Sequence, residues 1–115
     1  MKYYASFLLL CTLLLSSCYY DKEEELYPNA PCDTSAVTFG GTIKPIIDQR
    51  CASAGCHAAG SSNGALSSYN EIRTYCANGK FQDRVLLRKD MPPSGLDACS
   101  LGKIQKWVDA GYPNN

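Results

Sequence analysis

Apolar residues recur at helical spacing in several separate segments of the chain. In the first segment they fall at i, i+4, i+7 and i+8, which is one face of a helix: Phe39, Ile43, Ile46 and Ile47. Pro45 fits the first turn of that helix, where its missing N–H costs nothing. The pattern therefore predicts a helix that begins near Pro45, with Thr42 as its N-cap, and ends at Cys51.

Three further helices follow, two of them from capping and stop signals and one from apolar residues that share a face. Ser68 and Glu71 have the spacing of a capping box, and Asn78-Gly79 ends the helix that this box opens. A shorter helix is predicted around Phe81 to Arg88. The segment 90–95 contains two prolines and a glycine, which predicts an extended turn in place of a helix.

The last predicted helix runs from Asp97, its N-cap, to Ala110, and Gly111 ends it. Its inward face carries Leu101, Ile104, Trp107 and Val108. We find no alternation of the kind that strands require. The sequence predicts an all-α domain of about four short helices around one core.

The N-terminal segment has the pattern of an export signal. A basic start at Lys2 precedes an apolar run, and Leu15-Ser-Ser-Cys18 follows it. This ending resembles the lipobox of bacterial lipoproteins, which implies that residues 1–17 are a signal peptide and that Cys18 carries the lipid anchor. An ordinary cleaved signal or a membrane-spanning helix are the alternatives, although the run is shorter than the roughly 20 residues that a span needs.

Residues 18–36 are polar, contain the acidic run 21–25 and show no helical period, which predicts a flexible acidic tether. Residues 37–115 form the predicted domain. The whole chain has 11 basic and 11 acidic residues, and this balance argues against a nucleic-acid partner. We expect a monomer whose contacts with the membrane are made by lipid on Cys18.

Cysteines and the single histidine carry the candidate chemistry. Cys51 and Cys56 are separated by four residues, and His57 follows directly. In c-type haem attachment two thiols bond to the porphyrin and the adjacent histidine reaches the iron, usually with two residues between the cysteines. The longer spacer here is a departure from that pattern. A disulfide between Cys51 and Cys56 is the alternative, whereas zinc would lack enough ligands.

Met91 is the candidate for the second axial ligand. It is the only methionine besides Met1 and lies in a Met-Pro-Pro turn between two predicted helices. Methionine is a common partner of histidine on the iron of cytochromes c. A packing role in the core is the alternative for a single methionine.

The order of these features resembles the small cytochrome c domain of bacterial lipoproteins, over residues 37 to 113. The resemblance implies one covalent haem c held by Cys51, Cys56, His57 and Met91, with the first and last helices packed across each other. It also implies a non-enzymatic electron carrier for other redox proteins. Its expected location is the cell envelope of a Gram-negative bacterium, at the periplasmic face or the cell surface.

Several alternatives stay open. Cys76 and Cys99 are candidates for a disulfide, with Cys32 either free or replacing one partner. A basic cluster, defined as Lys80, Arg84, Arg88 and Lys89, is either a solvated helix face or a contact for haem propionates or an acidic redox partner. The rival functions are a haem-free, disulfide-stabilised surface lipoprotein that acts as an interaction module, and an enzyme in which Met91 leaves the iron.

Overall fold

The computed structural model describes residues 31–115, of which Cys32–Asn115 form one compact unit. A π-helical segment, π1 (Phe39–Ile43), continues directly into α1 (Lys44–Arg50). α2 (Tyr69–Ala77), the π-helical segment π2 (Gln82–Leu87) and α3 (Ala98–Asp109) follow. Within the described residues there is no strand, so the predicted all-α class with four helices is confirmed.

The first helix begins earlier than predicted. Its N-cap is Thr38, whose hydroxyl accepts a hydrogen bond from the Gly41 N–H at 3.1 Å, and the predicted cap Thr42 lies inside π1. The N–H groups of Phe39 and Gly40 donate to Asn115, to its side-chain and backbone oxygens respectively. Because this distant residue satisfies donors that a helix start leaves without partners, the additional turn can form before Pro45.

The caps of α2 and α3 lie where the sequence predicts them. Ser68 and Glu71 make both bonds of a capping box, and Asn78 is the C-cap of α2. The Asp97 carboxylate accepts from the Ser100 N–H at 2.8 Å, and Gly111 follows α3 with a φ of +84°. These ends depend on residues adjacent in sequence, which is why local patterns suffice to locate them.

The first and last helices pack against each other. The rings of Phe39 and Trp107 have centroids 5.7 Å apart, and Trp107 is 1 % exposed. The indole N–H of Trp107 donates to the carbonyl of Pro113 at 2.9 Å, so the buried polar atom of this ring has a partner. The apolar side chains that surround this contact include Ile43, Ile47, Ile72 and Ile104, each at most 1 % exposed.

The candidate disulfide between Cys76 and Cys99 does not form, and the alternative in which Cys32 replaces one of the two partners does. Cys99 is bonded to Cys32, with their Cα atoms 5.4 Å apart, and Cys76 is a buried free thiol on the inner face of α2. The methyl group of Thr34 lies within 3.9 Å of the position that a Cβ would occupy on Gly102. The segment after Cys32 therefore runs along α3, which brings Cys32 to Cys99 and makes the compact unit begin before residue 37.

The predicted signal peptide, the lipid anchor at Cys18 and most of the tether lie outside the described residues. Among residues 31–115 no helix has both the length and the apolar character needed to cross a membrane.

Candidate functional site

One cavity, of about 440 Å³, is bordered by all four residues predicted to hold a haem: Cys51, Cys56, His57 and Met91. They come from three separate segments, namely the end of α1, the loop that follows it and the turn between π2 and α3. Both thiols are free, so the alternative disulfide between Cys51 and Cys56 is not formed. The structure therefore brings together the residues that the sequence singles out.

The other residues of the cavity wall differ in character between its interior and its rim. Leu66, Phe81 and Val85 are at most 7 % exposed and make the interior apolar. Two arginines and an asparagine contribute polar groups, and the remaining lining residues belong to the loops: Arg50, Arg84 and Asn63, with Gly55, Pro92 and Pro93. A mostly apolar cavity with a few polar groups of this kind is typical of a site for an organic ligand.

The loop between the two cysteines is closed by backbone hydrogen bonds. The His57 N–H donates to the carbonyl of Cys51 at 3.1 Å, and the Cys56 N–H donates to that of Ser53 at 3.0 Å. Gly55 has a φ of +81°, a conformation that side chains other than hydrogen strongly disfavour. The four-residue spacer is therefore a compact turn that leaves both cysteines facing one cavity.

The imidazole of His57 is oriented by a backbone partner. Its Nδ1 lies 2.7 Å from the carbonyl oxygen of Gly64. Since a carbonyl can only accept, Nδ1 carries the proton and Nε2 of the neutral ring is left with a lone pair. Histidines that bind metals usually donate their other ring N–H to a carbonyl or carboxylate in this way.

Further hydrogen bonds support the loop on which His57 lies. The carbonyl of Cys56 accepts from the Ser61 hydroxyl at 2.6 Å and from the Asn63 amide at 3.3 Å. The Leu66 N–H donates to the carbonyl of His57 at 2.9 Å. The segment 58–66, which the sequence predicts only as a loop, therefore holds the backbone carbonyls of both Cys56 and His57 in place.

The thiol of Cys51 is kept protonated by its surroundings. Burial raises its pKa to about 11, against a smaller lowering effect of the neighbouring Arg50. Cys56, in contrast, is only partly buried. In the chain without a cofactor the two thiols thus differ in their access to solvent.

The turn that carries Met91 is held from both neighbouring elements. The carbonyl of Arg84 accepts from the N–H groups of Asp90 at 3.1 Å and Met91 at 3.3 Å. On the other side, the Arg50 guanidinium donates to the carbonyl of Gly95 at 2.7 Å. Met91 is partly buried and packs against the apolar core. It also borders the cavity, so its position is compatible with both predicted roles, that of iron ligand and that of packing residue.

The two arginines of the predicted basic cluster differ in their position relative to the cavity. Arg84 lies in the cavity wall and is paired with Asp90, whereas Arg88 is paired with Asp83 at 2.8 Å and does not border the cavity. The acidic partners Asp83 and Asp90 neutralise the charges of the two arginines, which are half of the predicted cluster.

Gly64 and Arg50 are two site residues that the sequence analysis missed. Gly64 lies in a stretch with several glycines, and nothing local marks it as the partner of His57. Arg50 directly precedes Cys51, and this adjacency is the one signal that could have indicated its position.

Among the described residues no group of three or more His, Cys, Asp and Glu side chains is placed to hold a metal ion directly. The four candidate residues thus border a shared space without forming a compact ion site. Comparison of the chain with protein-family models, with curated proteins and with solved structures gives no match.

Proposed function

We propose that the protein is a mono-haem c-type cytochrome that carries single electrons between redox proteins. The observation that carries the proposal is that Cys51, Cys56, His57 and Met91, from three segments, border one apolar cavity while both thiols are free. Its volume of about 440 Å³ lies within the usual range of sites for organic ligands.

The residues present fit a covalently attached haem. Cys51 and Cys56 would supply the two thioether bonds, and His57 would offer Nε2 because Gly64 occupies Nδ1. Met91 would provide the second axial ligand. When bound, the haem supplies an iron that gains and loses one electron, and thioether ligation raises the reduction potential of that iron.

The chain's own residues define the environment of the electron transfer. Leu66, Phe81 and Val85 give the interior of the cavity apolar walls. With both His57 and Met91 bound to the iron, no place would be left open for a substrate, which favours an electron carrier over an enzyme. The pattern of residues 1–18 adds a lipid anchor on Cys18 and a location outside the cytoplasm, where haem attachment and disulfides occur.

The test is expression of the full chain together with a haem-attachment system. We expect a coloured protein whose haem stays on the polypeptide during denaturing electrophoresis, in a ratio of one per chain. Cys51→Ala and Cys56→Ala should each reduce covalent attachment. Cys76→Ala is the matched control because Cys76 is also a buried free thiol but does not border the cavity.

The axial ligands are tested separately. His57→Ala should abolish the low-spin spectrum, and Met91→Ala should remove the weak red band of sulfur-ligated ferric iron and open a site for carbon monoxide. A colourless full chain, with the two thiols still free or joined to each other, would contradict the proposal and favour the haem-free interaction module.

A further inference from the structure

Arg84 contacts the segment that carries Met91 through both its backbone and its side chain. Its carbonyl accepts from the N–H groups of Asp90 and Met91 at 3.1 and 3.3 Å. Its Nε donates to the Asp90 carboxylate at 2.7 Å. One residue of π2 therefore binds the two residues that begin the turn, and Arg84 itself lies in the cavity wall.

The backbone between these partners reverses sharply. Lys89 has a φ of +54°, in the left-handed region that residues with a Cβ adopt rarely. Such a conformation persists only where the surrounding contacts require it. The bonds of Arg84 to Asp90 and Met91 close this reversal, so they hold the backbone from which the Met91 side chain extends.

The far end of the turn is held independently of Arg84. The Gly95 N–H donates to the carbonyl of Pro92 at 2.8 Å, and the Gly95 carbonyl accepts from Arg50. Pro92 is buried in the cavity wall. With this end anchored, loosening the Asp90 end would let Met91 swing outward while Pro92 to Gly95 stays attached to α1.

Resting on the function proposed above, we propose that Arg84 is a positioning residue that keeps the Met91 thioether at the cavity through its bond to Asp90. The Arg84–Asp90 pair thus adds to the backbone bonds that hold the turn: while the pair is formed, Met91 stays at the cavity wall, and when it is broken Met91 leaves the wall more often and admits small external ligands. The pair is partly solvent-exposed, with side-chain exposures of 39 % and 41 %, so its contribution is small and is screened by salt.

The test uses the full, haem-loaded chain, three variants of the pair and one control variant. Arg84→Gln and Asp90→Asn each remove the ionic bond but keep the backbone carbonyl and N–H groups. The double variant completes a double-mutant cycle. Because both single changes break the same bond, their effects on the two measured rates should not add in the double variant. Arg88→Gln is the matched control, because it removes an equal charge from a neighbouring arginine whose nearest carboxylate is that of Asp83, with Asp90 farther away at 3.9 Å.

Two measurements report the position of Met91. The first is the rate at which the ferrous protein binds carbon monoxide, together with the red band of the ferric form. The second is the hydrogen exchange of the Asp90 and Met91 amides, which does not depend on the haem. An exposed ion pair supports an increase of about two- to fivefold in both rates for Arg84→Gln and Asp90→Asn, and a smaller one for Arg88→Gln.

The outcomes separate this inference from the proposed function. If Arg84→Gln carries haem but keeps the ligand binding and amide exchange of the wild type, the positioning role of Arg84 is refuted and the proposed function is not affected. Equal changes in Arg84→Gln and Arg88→Gln would overturn it too, because they would reflect general charge. A colourless wild-type chain would overturn the proposed function, and the amide exchange of the same variants would still show whether Arg84 holds the turn.

Discussion

Gly64 lies directly against the hydroxyl group of Tyr75. A Cβ built on Gly64 would lie 1.8 Å from the Tyr75 oxygen, and Gly64 has a φ of +88°. The same residue supplies the carbonyl that orients the His57 imidazole. Tyr75 on α2 and the candidate iron ligand His57 therefore both contact Gly64. Any residue with a Cβ at position 64 would displace either Tyr75 or the backbone.

Gly64→Ala should therefore disturb both stability and the histidine. The left-handed backbone and the overlap with Tyr75 together should lower the free energy of unfolding by about 3 kcal/mol. In the proposed haem-loaded protein, the shifted carbonyl should weaken the bond of His57 to the iron. Chemical denaturation and the visible spectrum measure the two effects.

Gly60→Ala is the control for this change. Gly60 has a similar φ of +75°, but nothing lies within 4 Å of its Cβ position. It should lose only about 1 kcal/mol and keep the spectrum of the wild type. Equal losses in the two variants would show that the contact with Tyr75 is unimportant.

The Cys32–Cys99 bond should be the main covalent contribution to stability. It joins residues that are 67 apart in sequence, and the chain-entropy model gives about 4 kcal/mol for a loop of this length. The Cys32→Ser/Cys99→Ser variant should unfold at correspondingly lower denaturant concentration.

Cys76→Ala is the comparison, since it removes a buried thiol that forms no disulfide and should cost about 1 kcal/mol. If a peptide map instead found Cys76 joined to Cys99, the pairing described for this structure would be refuted.

The three free thiols among residues 31–115 should differ in reactivity when the chain carries no haem. Burial raises the pKa of Cys51 to about 11 and that of Cys76 to about 12, so at pH 8 both are almost entirely protonated. Cys56 is only partly buried. Because alkylation requires the thiolate, iodoacetamide should modify Cys56 first.

Mass spectrometry of peptides after timed alkylation gives the order of modification. Denatured protein is the control, in which the three rates should converge. Faster modification of Cys51 than of Cys56 in the folded chain would contradict the burial of Cys51.

The capping box of α2 should make stability depend on pH. The Glu71 carboxylate accepts from the hydroxyl of Ser67 and from the N–H groups of Ser67 and Ser68, at 2.8 to 2.9 Å. These bonds, first those of Ser67 and then those of Ser68, hold the pKa of Glu71 below its ordinary 4.5. A lowered folded pKa means that the contribution is complete above pH 4.5 and is lost as the pH falls through the folded value.

Glu71→Gln should therefore lower the denaturation midpoint at pH 7, and the difference from the wild type should shrink as the pH falls below 4.5. Asp109→Asn, which removes an exposed carboxylate that accepts from Gln105, controls for the change of net charge. A difference that stayed constant across this pH range would exclude the carboxylate bonds as its cause.

Most of the secondary structure could be predicted because its signals are local. The capping box at Ser68 and the cap at Asp97 act within one helical turn, so adjacent residues define where α2 and α3 begin. The periodic apolar positions likewise identify the buried faces, and Trp107 and Ile104 are buried as predicted. The start of the first helix was not predictable, because its donors are satisfied by the distant Asn115.

The sequence by itself determined the candidate residues of the site: the spacing of Cys51, Cys56 and His57 and the Met-Pro turn are chemical patterns within short segments. Only the tertiary structure decided which distant groups meet. The bonds of Arg84 to Asp90, of His57 to Gly64 and of Cys32 to Cys99 depend on where whole segments pack. Partner choice of this kind follows from the packing of the folded chain, which no local pattern of residues encodes.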